Sequence, residues 1–145
     1  MTFLSFIKVW RYNKKKIITL VATIMLLVTS TLALAGCGST TLEDYVNGDS
    51  DAQQQLSDLE SSLGEGGSVT IKDNNIEMIY KYGETYDDAT VSAMKTQLEK
   101  GMTSMDSTFQ GLVDELKDES GIDDASMTII YQDASGTELY SKTYK

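Results

Sequence analysis

The sequence predicts an α+β fold: a two-layer sandwich in which a four-stranded antiparallel sheet carries two helices on one face, in the order α-β-β-α-β-β. Three observations predict it. Residues 69–72 and 76–82 alternate apolar and polar with period two on either side of Asp73-Asn74-Asn75, the pattern of a hairpin whose turn residues tolerate positive φ. Val91, Met94, Leu98, Met102, Met105, Phe109, Leu112, Val113 and Leu116 recur at steps of three and four, the apolar stripe of a long helix. Residues 127–132 and 137–144 return to strand composition around Asp133-Ala134-Ser135-Gly136.

The elements follow in order. Residues 1–36 read as a targeting segment and stand outside the fold. Lys8, Arg11, Lys14, Lys15 and Lys16 form a basic head, and Ile17 to Leu34 is an uncharged apolar run of 18 residues. That length is the lower limit for spanning a bilayer, so a cleaved signal and a retained transmembrane helix both fit it. The run ends Leu34-Ala35-Gly36-Cys37, and small residues directly before a lone cysteine favour cleavage. The arrangement resembles a bacterial lipoprotein signal. The resemblance implies recognition of Leu34, Ala35 and Gly36 by a dedicated signal peptidase, and a diacylglyceryl group on the Cys37 thiol. Two or three acyl chains anchor a protein stably, where one does not. The expected organisation is a cleaved signal over 1–36, a lipidated N-terminus and tether over 37–48, and an extracytoplasmic domain over 49–145.

Within the tether, Thr41 can cap one helical turn over 42–46, with Asp44 three residues on. Asp49 or Ser50 can cap a helix to about Leu63, with Leu56, Leu59 and Leu63 on one stripe, ended by Gly64, Gly66 and Gly67. After the first hairpin, Asp87 or Asp88 caps the long helix. Taken to Glu119 it would be roughly 48 Å long. That is more than twice the length of an ordinary strand, so it must bend, with Gly101 the expected place, or overhang. Gly121 closes it. On the last strand Tyr140 and Tyr144 alternate against Leu139, which leaves its register open.

Composition excludes several functions. Cleavage before Cys37 leaves 109 of the 145 residues, enough for one domain and too few for a two-lobed solute receptor. All 22 acidic residues lie beyond the cleavage point with only seven of the 12 basic ones, so the mature chain carries −15. Such a field repels nucleic acid and anionic headgroups and attracts cations and basic proteins. The absence of histidine removes the commonest general base and zinc ligand. The single cysteine excludes an intrachain disulfide.

The Ala35-Gly36-Cys37-Gly38 junction, the segment 41–46, the long helix with Ser107-Thr108-Phe109 and the closing Asp133-Ala134-Ser135-Gly136 turn together resemble a family of small uncharacterised lipoproteins of low-GC Gram-positive bacteria. The resemblance spans residues 37–145. It implies a membrane-anchored location on the outer face and supplies no catalytic residue.

Two surfaces carry candidate sites. Asp114, Glu115, Asp118, Glu119, Asp123 and Asp124 crowd the end of the long helix, where the helix dipole disfavours acids. They are a solvated acidic face or a Ca²⁺ site, although no EF-hand spacing is present. The uncovered sheet face is expected to carry Ile79 and Ile130, bordered by Tyr140 and Tyr144, as a docking patch or as ordinary scattered apolar residues. A hydrolase built on two carboxylates is the weakest reading, because no pair stands out. No enzyme activity and no cofactor other than Ca²⁺ is expected. The expected partners are the membrane, through the lipid, and an envelope or extracellular protein.

Overall fold

The computed structural model describes residues 41–48 and 50–145. Its elements are α1 (Leu42–Gly48), α2 (Ser50–Leu63), β1 (Gly67–Lys72), β2 (Asn75–Lys81), α3 (Asp88–Thr103), α4 (Asp106–Ser120), β3 (Ser126–Gln132) and β4 (Glu138–Tyr144). The sheet order is β1-β2-β3-β4.

Both predicted hairpins form as antiparallel pairs, β1 with β2 and β3 with β4. The two central strands, however, run parallel, with Asn75 beside Ser126 and Lys81 beside Gln132. The sheet is therefore mixed and not fully antiparallel. Residues 82–125 return the chain from the end of β2 to the level of its start, and the two helices supply the long connection that parallel neighbours require.

Among the described residues, four helices replace the expected two. The long helix breaks into α3, of 16 residues, and α4, of 15. The break lies at Ser104 and Met105 and leaves Gly101 helical. There the Met105 amide donates to the Met102 carbonyl and the Ser104 hydroxyl to the Gly101 carbonyl, so the i to i−4 ladder is interrupted. Burial of Met102, Met105 and Phe109 holds the bend in place. Asp87 is the N-cap of α3, accepting from the Thr90 amide at 2.8 Å, and Gly121 ends α4 in the left-handed conformation.

One core lies between the helices and one face of the sheet. Val69, Ile76, Met78, Tyr80, Met127, Ile129 and Tyr131 meet Met94, Leu98, Met102, Phe109, Val113 and Leu116 there. A register shift between Tyr131 and Gln132 resolves the ambiguity on β4. Gln132 pairs with Glu138 and Tyr131 with Tyr140, so Leu139 is the extra residue of a bulge. Leu139 and Tyr140 are both buried in consequence.

Two contacts close the sheet at its β1 side. The Val69 amide, on the outer edge of β1, donates to Glu60 of α2, which protects an otherwise open edge. Gly66 takes a φ of 87°, and a Cβ there would collide with the Lys81 carbonyl oxygen. Its own carbonyl accepts from the Lys81 amide at 2.6 Å. Gly66→Ala is expected to cost at least about 2 kcal/mol, since it adds left-handed strain to a backbone clash. Urea unfolding checks this. Gly111→Ala, in open space on α4, should cost nothing or stabilise.

Residues 42–48, assigned to the tether by sequence, are part of the folded body. Leu42 is 2% exposed and belongs to the core. The Glu43 amide donates to the Asp73 carbonyl at 2.9 Å, and the Asp73 amide returns a bond to the Glu43 carboxylate at 2.7 Å.

Candidate functional site

The face of the sheet turned away from the helices is the candidate site. Pairing aligns its residues in rows across all four strands. One row reads Ser68, Ile79, Ile130, Ser141, and the next reads Thr70, Glu77, Thr128, Thr143. Ile79 and Ile130 are thus direct neighbours on the central strands, each half-buried. Hydroxyls, amides and the charged Glu77 and Lys81 surround them. Asn75 accepts from Ser126 and from Thr128, each at 3.1 Å, and the Thr128 and Thr143 hydroxyls lie 2.9 Å apart. Ser141 donates to Glu138 at 2.8 Å. These bonds fix the polar side chains around a small, central apolar pair. Such a surface fits a contact made by shape and burial better than one that moves protons.

Tyr140 and Tyr144 do not border this face. They pair with Tyr131 and Met127, and with those residues they point into the core. The bulge at Leu139 sets that phase. Tyr144 packs its ring 5.1 Å from Phe109 and donates its hydroxyl to Asp106 at 2.9 Å. Lys142 pairs with the same carboxylate at 2.7 Å, and chiefly through that bond holds it below the usual carboxylate range.

The acidic helix end is not assembled into a cage. Asp114, Glu115, Asp118, Asp123 and Asp124 are exposed. Asp114 accepts from Gln110 at 3.0 Å and Asp124 from Asn74 at 2.8 Å. The Glu119 side chain lies outside the described residues. Among the described residues, no three acidic or other ligating side chains are gathered for a metal. Leu34, Ala35, Gly36 and Cys37 also lie outside the described residues. No described helix is long and apolar enough to cross a membrane.

Two residues with organising roles escaped the sequence reading. Asn74 joins three elements: its side chain accepts from the Leu42 amide and donates to Asp124, and its carbonyl accepts from the Ser126 amide. Asp133, only 1% exposed, accepts from the Ser135 amide and hydroxyl and from the Thr137 amide on one oxygen. The Ser135 hydroxyl bond is the main reason its carboxyl is held below the usual range. An Asp-x-Ser-x-Thr run is the trace such a turn leaves in a sequence.

A tyrosine cluster fills the same end of the core. Tyr131 stacks on Tyr80 at 5.3 Å and on Tyr82 at 6.3 Å, and Tyr82 meets Tyr86 edge to face at 6.2 Å. The Tyr80 hydroxyl is buried with no hydrogen-bond partner among the described residues. Tyr80→Phe is therefore expected to stabilise the domain by about 1 kcal/mol, since it removes a desolvated, unbonded group. Chemical denaturation reads the sign directly.

No curated protein and no solved structure matches the chain. A family model does match residues 42–144, from the first turn of α1 to the end of β4. That span coincides with the packed body, α1 included, and on it the chain belongs to the DUF4854 family, a domain of unknown function.

Proposed function

We propose that the protein is an exported lipoprotein of the Gram-positive cell envelope, anchored by diacylglycerol on Cys37, and that its domain is a non-enzymatic binding module. The basic head, the apolar run and the Leu34-Ala35-Gly36-Cys37 junction support the anchor. The observation that carries the binding role is the adjacency of Ile79 and Ile130 at the centre of an ordered sheet face that no described helix covers. The partner is a basic envelope or extracellular protein, because a mature chain at −15 draws positive surfaces to it and lowers the encounter barrier for them alone.

Both isoleucines are half-buried and sit on the face away from the core, so their truncation leaves the core intact. Crosslinked capture from intact cells, read by mass spectrometry, is expected to enrich one envelope protein with the wild-type chain. The double variant Ile79→Ser with Ile130→Ser should weaken that capture by at least about tenfold, as expected for central apolar anchors. Its circular dichroism and melting should stay close to wild type. Undiminished capture by a folded double variant would remove this face as the site.

A further inference from the structure

We infer that the end of the domain carrying α1 and the β1–β2 turn is held at the membrane, and that the opposite end, with the β3–β4 turn and the loop 82–87, is presented outward. The inference rests on the lipid anchor proposed above and adds an orientation to it. It begins with the docking of α1. Leu42 is buried, its amide donates to the Asn74 side chain at 3.0 Å, and Glu43 and Asp73 exchange two bonds. Thr41 caps the helix, accepting from the Asp44 amide at 3.0 Å. The folded body therefore includes Thr41 and α1 and does not begin at the second helix.

Covalent geometry then limits the leash. Four peptide units separate Cys37 from Thr41, and whatever their conformation they reach at most about 14 Å. The far ends of the seven-residue strands lie a further strand length away, about 20 Å. A leash this short keeps the α1 end at the bilayer surface. The leash acts on this end alone, although acids cluster there too, with Asp124 bonded to Asn74 of the β1–β2 turn. The opposite end is a strand length away and is not restrained by the leash, so it keeps the larger mean distance from the bilayer.

The test exploits the single native cysteine. With Cys37 blocked by lipid, a cysteine introduced elsewhere is the only thiol to label. Lys72→Cys sits on β1 beside the β1–β2 turn, and Ala134→Cys sits in the β3–β4 turn; both positions are exposed. Each full-length, lipidated protein, extracted from membranes and labelled with a fluorophore, is placed in phosphatidylglycerol vesicles containing a headgroup-attached quencher. The inference predicts strong loss of fluorescence at position 72 and little at position 134. Equal quenching at the two positions, or the reverse order, overturns the orientation. Failure of the wild-type chain to float with the vesicles, matching a Cys37→Ala control, overturns the anchor itself, and the two failures are distinguishable in one experiment.

Discussion

Phe109→Ala is expected to destabilise the domain by about 3–5 kcal/mol, the usual cost of emptying a fully buried aromatic site. Phe109 is 0% exposed and stands in the first turn of α4, directly after the break in the helix pair. Its ring lies 5.1 Å from Tyr144 at the end of the edge strand. Tyr144 and Lys142 both bind Asp106 in the same turn, so one locus ties the bent helix to β4. Removing the ring leaves a void where the Ser104–Met105 bend, Tyr144 and the β4 edge converge. A small domain has total stability of only about 5–15 kcal/mol, so a large fraction is lost. The melting temperature should fall by roughly 15–30 °C. Leu112→Ala, at a half-buried position on the same helix, should cost well under half as much. Urea titration of the two variants gives the comparison; a Phe109→Ala loss no larger than that of Leu112→Ala would contradict this packing.

Alkaline pH is expected to unfold the domain cooperatively. Burial pushes the Tyr82 and Tyr140 phenols up to about 12, and pushes Tyr80, Tyr131 and Tyr144 higher still. A second cause acts at Tyr144, whose hydroxyl donates to the Asp106 carboxylate. The folded state thus holds protons that the unfolded chain releases near pH 10. Stability from these groups is complete below that value and is lost as pH rises through the folded pKa values. Three buried phenols alone remove about 4 kcal/mol for each pH unit above 10. Against typical domain stability this places unfolding at about pH 11–12. Tyrosinate absorbance and far-ultraviolet circular dichroism should change together in one steep step. Gradual ionisation near pH 10 with the secondary structure retained would show that the cluster is solvated.

Much of this architecture is written in side-chain periodicity. Alternation over 69–82 and 127–144 gave both hairpins, and the three-and-four spacing over 91–116 gave the helices, because burial on one face imposes those periods. Direction is not encoded that way. Ile76, Met78 and Tyr80 face the core whether β3 runs parallel or antiparallel, so the parallel central pair was invisible. The helix break was expected at Gly101 on intrinsic propensity, but burial of Met105 and Phe109 decided it at Ser104. On β4 a bulge changed the phase within one strand, and Tyr140 and Tyr144 moved from the open face to the core. Ile79 and Ile130 remained on that face because each sits in an unbroken alternation, and the strand register then made them neighbours. The acidic residues 114–124 were close in sequence only; helix geometry and the Gly121 turn leave the described ones exposed and ungathered.

The proposed anchor depends on where the mature chain begins and what it carries. The intact mass of the protein extracted from the membranes of cells that produce it measures both at once. The expected mass is that of a chain starting at Cys37 with a diacylglyceryl group on its thiol, and fragmentation should place the added mass on that residue. A chain of all 145 residues, or one cut elsewhere and free of lipid, would contradict the anchor, and with it the orientation and the envelope partner argued from it.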